Sequence, residues 1–194
     1  MISHGVTLNS PFHVTHRGAA AISLGGVPPD SGVVPSYSGR ECLLLNLLPQ
    51  SPRLNATAYP YVELLQVELE KLAVNAFCNP LCALHDAQNG FLFTLPGIRR
   101  QILTEVSNVV LRLPELQHIP GVRDRFAVDR LEATVIDILT KTAETTCSMV
   151  WDLRAGRETA VRFINGYWVR RGKEVGVPTP VNQRLVDEVI SKGG

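Results

Sequence analysis

Aromatic side chains make up only 6% of this 194-residue sequence, cysteines number four, and the formal charge sums to no more than +1. A near-zero net charge with no Lys/Arg run leaves no electrostatic footprint for nucleic acid or an anionic membrane surface, so neither is expected as a partner. Long apolar runs are missing too. The longest, around "ECLLLNLLPQ", is far short of the ~20 residues a membrane span needs, and Asn46 and Pro49 interrupt it. The opening "MISHGVTLNSPFHVTH" has neither a charged start followed by an apolar core nor an Arg/Ser-rich amphipathic pattern, so no secretion or import is indicated. Cys42, Cys78, Cys82 and Cys147 are scattered through a chain large enough to fold without staples. A soluble protein in a reducing, cytoplasmic compartment is the simplest reading. No G-x-G-x-x-G follows a strand-like run, so the phosphate-binding signature of a dinucleotide fold is also missing.

With 45% hydrophobic and 19% charged residues, the chain can fill a core. Residues 1–26 read as β, with "PFHVTH" and "AAAISLGG" as extended runs joined in a hairpin at Arg17-Gly18. Residues 27–60 are rich in Gly, Pro and Ser and read as a linker carrying one short docked helix. From Tyr61 the pattern is helical. A first helix spans 61–78, and Pro80 is expected to kink or restart it, because proline removes a hydrogen bond and crowds the preceding turn. Asn89-Gly90 signals a turn, a second helix runs from Ile98 to Leu111, and Pro114 stops it. Phe126, Leu131, Val135, Ile138 and Leu139 form one stripe, predicting a single long helix over 124–145. "RETAVRFINGYWVRRGKEVG" closes at Gly176, and Thr179-Pro180 has the cap-then-proline signature of a last helix through Ile190. The expected fold is mainly α: five or six helices around one core, with a short β element in front.

The stretch "LEKLAVNAFCNP" carries the most chemistry. Lys71, Asn75 and Asn79 recur every four residues, which stacks them on one helical face between Leu72, Val74, Ala76 and Phe77. A polar stripe walled by apolar residues suggests a pocket, although a solvated lysine beside Glu68 or Glu70 is the plainer reading of Lys71 alone. Cys78, Cys82 and His85 share a face, but the familiar zinc spacings are absent and a fourth ligand is not evident. Buried small hydrophobes account for the two cysteines better than a metal site.

Four pieces, in order and at compatible spacings, carry a family resemblance: "SHGVTLNSPFHVTHRG", "KLAVNAFCNPLCAL" followed by "NG", "SMVWDLRAGRET", and "FINGYWVRRGKEVGVPTPVN". Together they resemble the C-terminal domain of ketopantoate reductases (2-dehydropantoate 2-reductases). The resemblance covers residues 61–194 and the first 26. It implies a helical domain that closes over a 2-oxo acid, with NADPH held on a separate Rossmann domain and 2-dehydropantoate reduced to pantoate in pantothenate synthesis. It also implies site roles: Lys71 matches the family's catalytic lysine, Asn75, Asn79 and Asn89 match asparagines of the substrate site, and Ser148 matches a substrate-binding serine. These residue types suit the reaction, since an ammonium stabilises and protonates the oxygen of a ketone under reduction while amides orient hydroxyl and carboxylate groups. Simpler readings stay open for Asn89 as a plain Asn-Gly turn and Ser148 as a helix cap. Asp152 falls on an acidic family position or caps the next helix. Glu105 coincides with a recurrent family glutamate or is an ordinary exposed one.

Two departures accompany the resemblance. Ala160 stands where the family places a glutamate after "GRET", and Glu158 is expected not to replace it, because residues two apart on a helix point to nearly opposite sides. Thr145 stands where an asparagine is usual. The glycine-rich loop and first strands of the nucleotide fold are expected to be missing, on the order of 100–150 residues. Residues 1–26 then read as a remnant of that domain, 27–60 as linker and 61–194 as the helical domain. Little or no reductase activity is expected of the chain alone. The alternative is a catalytically inactive helical module that forms a homodimer or binds a partner, and a third possibility is a different 2-oxo acid as substrate.

Overall fold

The computed structural model describes residues 1–18, 20–27 and 42–193, so most of the first half of the expected linker lies outside the described residues. At the N-terminus, β1 (Gly5–Ser10) pairs antiparallel with β2 (His13–Gly18), with Leu8 opposite Val14 and Ser10 opposite His13. The chain therefore reverses at Pro11-Phe12, not at Arg17-Gly18. Pro11 supplies a pre-set φ, and Phe12 takes the left-handed conformation at φ 64°, an unusual choice for a bulky residue. β3 (Ile22–Leu24) pairs instead with β4 (Ala56–Ala58), in parallel, with Ile22 opposite Ala56. Both strands have three residues, too few for an alternating pattern to stand out in sequence. The helix expected in the linker forms as α1 (Leu43–Leu47), followed by a 3-10 turn over Leu48–Gln50, yet none of its residues is buried.

α2 (Tyr61–His85) runs through Pro80 as one helix. The expected interruption does not occur, and its cause is visible. Proline has no N–H for the carbonyl four residues back, and that orphaned carbonyl, on Ala76, accepts a 2.8 Å hydrogen bond from the buried Asn165 amide instead. The helix closes in a Schellman pattern around Asp86 at φ 50°, with Ala87 N–H donating to Cys82 O and Asp86 N–H to Ala83 O. Lys192 then takes the Ala83 and Leu84 carbonyls at 3.1 and 2.7 Å, placing a cation where the helix dipole is negative.

The remaining elements are α3 (Pro96–Val110), α4 (Val122–Arg125), α5 (Val128–Thr142), α6 (Ser148–Arg154), α7 (Val161–Val175) and α8 (Pro180–Gly193). The single helix expected over 124–145 is split, because Ala127 is extended at ψ 139°. No glycine or proline marks that break, so periodicity alone runs through it. The apolar stripe survives the split, with Phe126, Leu131, Val135 and Leu139 at 0–2% exposure. α7 ends as expected at Gly176, whose φ of 71° lets Val177 N–H reach Gly172 O. That return brings the chain onto Gly172, where a Cβ would lie 2.7 Å from Val177 O and 2.9 Å from Thr179 Cγ2. α8 starts at Pro180 as its signature predicts. α3 lies at the centre, touching α5, α7 and α8.

The chain forms two compact units, Met1–Glu68 and Leu69–Gly194, divided within α2. Mainly α with a few short strands at the N-terminus is the observed class. No described helix is long and apolar enough to cross a membrane.

Candidate functional site

The site is built along residues 71–79 in the middle of α2, inside the helical unit. Ala73, Ala76 and Phe77 are fully buried and fix the rotation of the helix, which leaves Lys71, Asn75 and Asn79 half-buried along one side. Successive members lie about 6 Å apart in helical rise, so Lys71 stands about 12 Å along the axis from Asn79. Partial burial lowers the pKa of the Lys71 ammonium, since leaving water disfavours the charged form. Glu70 binds Arg125 at 2.6 Å, and Glu68 faces the N-terminal ammonium at 3.9 Å. Among the described residues the structure records no hydrogen bond at the Asn75 or Asn79 side-chain amide. Both are half-buried donors and acceptors open to a ligand.

Asn89 and Ser148 come to the far end of this stripe by way of three thiols. Cys147, immediately before α6, lies with its Sγ 3.8 Å from the Asn79 carbonyl oxygen, which sets the start of α6 and Ser148 beside Asn79. Ser148 itself is the first residue of α6 and is exposed. Cys82, one turn beyond Cys78 on α2, points its S–H at Asn89 Oδ1 across 3.6 Å. Asn89 is buried, its amide donates to Thr142 Oγ1 at 3.0 Å, and its backbone N–H binds Thr145 O. Asn89-Gly90 opens a 3-10 helix over Asn89–Thr94 and does not form a plain turn.

The thiols differ in acidity. Cys147 is drawn down to about 7, chiefly by the hydrogen bond from Cys82, with the N–H groups of Val150, Met149 and Cys147 helping and burial opposing. Cys78 is pushed up to about 12, first by burial and then by the charge on Cys147. Cys82 is raised as well, first because it donates to Cys147 and second because it is buried. Cys78 and Cys82 are buried, at 5% and 0% exposure, whereas His85 is exposed and packs on the Phe91 ring.

The two acidic residues set aside in the sequence have structural partners. Glu105 is buried and accepts from Val181 N–H (2.8 Å), Asn182 N–H (3.0 Å) and the Asn182 amide (2.8 Å), capping α8 from 76 positions away. Asp152 gives its carboxylate to Arg157 at 2.8 Å across the turn after α6. Ala160 is exposed directly before α7, and residues 158–160 lie outside any helix. The helical-spacing argument against Glu158 therefore does not apply. Glu158 lines a separate cleft of about 260 Å³ with Arg157, Thr159, Arg162 and Val189.

Sequence reasoning missed the approach of Cys147 to the Asn79 carbonyl and the buried chain Glu105–Asn182–Asn165–Ala76 O. The one available signal for the second was Pro80 itself, since a proline inside a helix demands a donor from elsewhere for the carbonyl it orphans.

Comparison with known proteins matches residues 63–192 to the family described as "Ketopantoate reductase PanE/ApbA C terminal". The 2-dehydropantoate 2-reductase of Shigella flexneri is 37% identical over 122 residues, covering 63% of this chain and 37% of that protein. A probable 2-dehydropantoate 2-reductase of Schizosaccharomyces pombe is 28% identical over 193 residues, covering 96% of this chain and 55% of its own length. A ketoisovalerate reductase of Gibberella fujikuroi is 28% identical and covers 87% of this chain and 44% of that protein. Among solved structures, the PanE/ApbA family ketopantoate reductase of Ralstonia eutropha shares the fold, with TM-score 0.74 at 20% identity over 100% of this chain and 58% of its own. The chain thus spans between 37% and 55% of the length of the relatives it matches. With a family match over residues 63–192, this chain belongs to the ketopantoate reductase family, and those residues are its C-terminal helical domain.

Proposed function

We propose that this chain forms the substrate-binding part of an NADPH-dependent 2-oxo-acid reductase, with reduction of 2-dehydropantoate to pantoate as the reaction. The observation that carries the reading is the half-buried stripe of Lys71, Asn75 and Asn79, whose amides make no hydrogen bond among the described residues, inside a family match over 63–192. Lys71 is the acid. As the ketone is reduced its oxygen gains negative charge, and an ammonium whose pKa is lowered by burial gives up its proton more readily than an exposed one. Asn75 and Asn79 orient the hydroxyl and carboxylate of the substrate, and Ser148 approaches from α6. Asn89 contacts substrate only by exchanging its bond to Thr142, so its part is the smallest.

A dinucleotide does not fit the described residues. Their strands form a hairpin and a three-residue parallel pair, and none leads through a glycine-rich turn into a helix. The roles assigned here are therefore confined to the oxo acid. In this reading 61–194 is the substrate domain, 27–60 a connection and 1–26 the end of a nucleotide-binding fold, in a cytoplasmic protein.

The relationship to a ketoisovalerate reductase across 87% of the chain supports a second substrate, a branched 2-oxo acid without the hydroxyl. Ala160 and Thr145, departing from the family pattern, support the inactive homodimeric module. Calorimetric titration of the 194-residue chain separates them. Pantoate and 2-dehydropantoate are expected to bind saturably, with affinity reduced about tenfold or more in Lys71→Ala and Asn79→Ala, the scale of a lost charged or buried hydrogen bond. Tighter binding of 2-oxoisovalerate would move the assignment to the second substrate. A stable dimer in sedimentation with no binding of any 2-oxo acid would overturn both in favour of the module. Little or no NADPH oxidation is expected of the chain alone.

A further inference from the structure

One cleft of the helical unit takes no part in the stripe on α2. It lies between the end of α6, the turn into α7 and the end of α8, and none of Lys71, Asn75, Asn79 and Ser148 lines it. Its volume of about 260 Å³ falls just below the ~300–1,000 Å³ of pockets for drug-sized ligands, which restricts the occupant to a small molecule. The deep part is apolar: Val161 and Val189 are at 1% and 0% exposure, with Leu153 and Ile190 half-buried beside them. The rim is charged, with Arg157, Glu158 and Arg162 all exposed.

The three rim charges differ in what holds them. Asp152 Oδ1 accepts from Arg157 Nε at 3.1 Å and from its Nη2 at 2.8 Å, which fixes that guanidinium and balances its charge. Glu158 and Arg162, by contrast, have no ion pair or side-chain hydrogen bond among the described residues. They stand four positions apart, but residues 158–160 are not helical, so the spacing that would pair them on one helical face does not operate. α7 also starts here without a side-chain cap, Ala160 being its N-cap residue, and the Arg162 N–H has no partner among the described residues. A cation and an anion left unmatched at the mouth of an apolar cleft are complementary to a molecule that carries both charges and a short apolar chain.

We propose that this cleft binds a small aliphatic α-amino acid, its carboxylate received by Arg162 and the uncapped start of α7, its ammonium by Glu158, and its side chain by Leu153, Val189 and Ile190. Exposed ion pairs are individually weak, so the two charges and the apolar contact together place the affinity in the millimolar range, and added salt weakens it. A 2-oxo acid with the same chain lacks the ammonium and leaves Glu158 unmatched beside a second carboxylate. The cleft therefore selects against the class of molecule for which the Lys71 stripe is suited. It stands whether or not the chain binds a 2-oxo acid.

The test titrates the nitrogen-labelled 194-residue chain with L-valine and follows the backbone amides by NMR. 2-Oxoisovalerate and isobutylamine, which keep the valine chain and one charge each, are the comparison ligands. Valine is expected to shift the amides of Thr159, Arg162 and Ile190 saturably and to leave those of Asn75 and Asn79 in place. Each single-charge ligand should bind at these amides about tenfold more weakly, the scale of one lost hydrogen bond to a charged group. Arg162→Ala should weaken valine by a similar factor, and Glu158→Gln should weaken valine while improving 2-oxoisovalerate at the cleft. Absence of valine shifts at the cleft, equal affinity for 2-oxoisovalerate there, or an unchanged valine affinity in Arg162→Ala would overturn the proposal. The unaltered chain decides the first two of these without any substitution. Valine shifts at the cleft in a chain whose Asn75 and Asn79 amides respond to no 2-oxo acid would uphold this site while removing the reductase reading.

Discussion

The two compact units are held together in different ways. In 1–68, Leu64 is the only buried apolar residue among those described, while Val6, Leu8, Phe12, Val14, Leu43 and Leu44 are 56% exposed or more. That unit rests on strand pairing and local turns, a marginal arrangement for two-stranded sheets. In 69–194, Phe77, Leu103, Val106, Leu139 and Trp168 are at 0% exposure, and one chain of buried hydrogen bonds links α2, α3, α7 and α8. The difference shows that burial, more than hydrogen-bonded secondary structure, separates a self-sustaining region from one stabilised mainly by backbone pairing.

The contrast is sharpest for paired truncations. Leu103→Ala in α3 is expected to cost about 2–5 kcal/mol, the range for a buried leucine. Leu8→Ala, on an exposed strand, should stay within about 0.5 kcal/mol. Urea unfolding followed by helical circular dichroism measures both, and equal costs would break the comparison.

Next in size is the Asn165 bond. Asn165→Ala leaves the Ala76 carbonyl without a partner inside the core and should cost about 2–4 kcal/mol, summing an orphaned acceptor and the severed link to Asn182. Pro80→Ala restores an N–H at the position that normally satisfies Ala76, so the same Asn165→Ala change should cost at least about 1 kcal/mol less in that background. An unchanged cost would mean that Asn165 stabilises the unit through Asn182 alone.

The smallest pair tests two glycines of α7. At Gly166 the nearest atoms a Cβ would meet belong to its own helix, Arg170 Nη1 at 3.3 Å and Val161 O at 3.7 Å. Gly166→Ala should be neutral or stabilising by up to about 1 kcal/mol. Gly172→Ala places a Cβ 2.7 Å from a backbone oxygen and should cost about 1–3 kcal/mol. Thermal melts of the two variants should move in opposite directions, and a parallel shift would refute the packing argument.

Much of the helical unit is legible in the sequence, because its signals are local. Thr179-Pro180 starts α8, Gly176 ends α7, and the four-residue spacing of Lys71, Asn75 and Asn79 fixes their common face. The N-terminal strands are less legible. A two-residue reversal at Pro11-Phe12 lacks the usual glycine or asparagine, and the β3–β4 partners are 34 positions apart.

By itself, then, the sequence determined the helical class, the start of α8, the end of α7 and the common face of the stripe, since each follows from torsional preference and periodicity within a few residues. Tertiary structure alone decided that Pro80 would not break α2, that Glu105 would be buried as a cap, and that Cys147 would reach the Asn79 carbonyl. Those outcomes depend on donors and acceptors coming within hydrogen-bond reach across 68 to 89 positions of chain, and no repeating pattern records such a meeting.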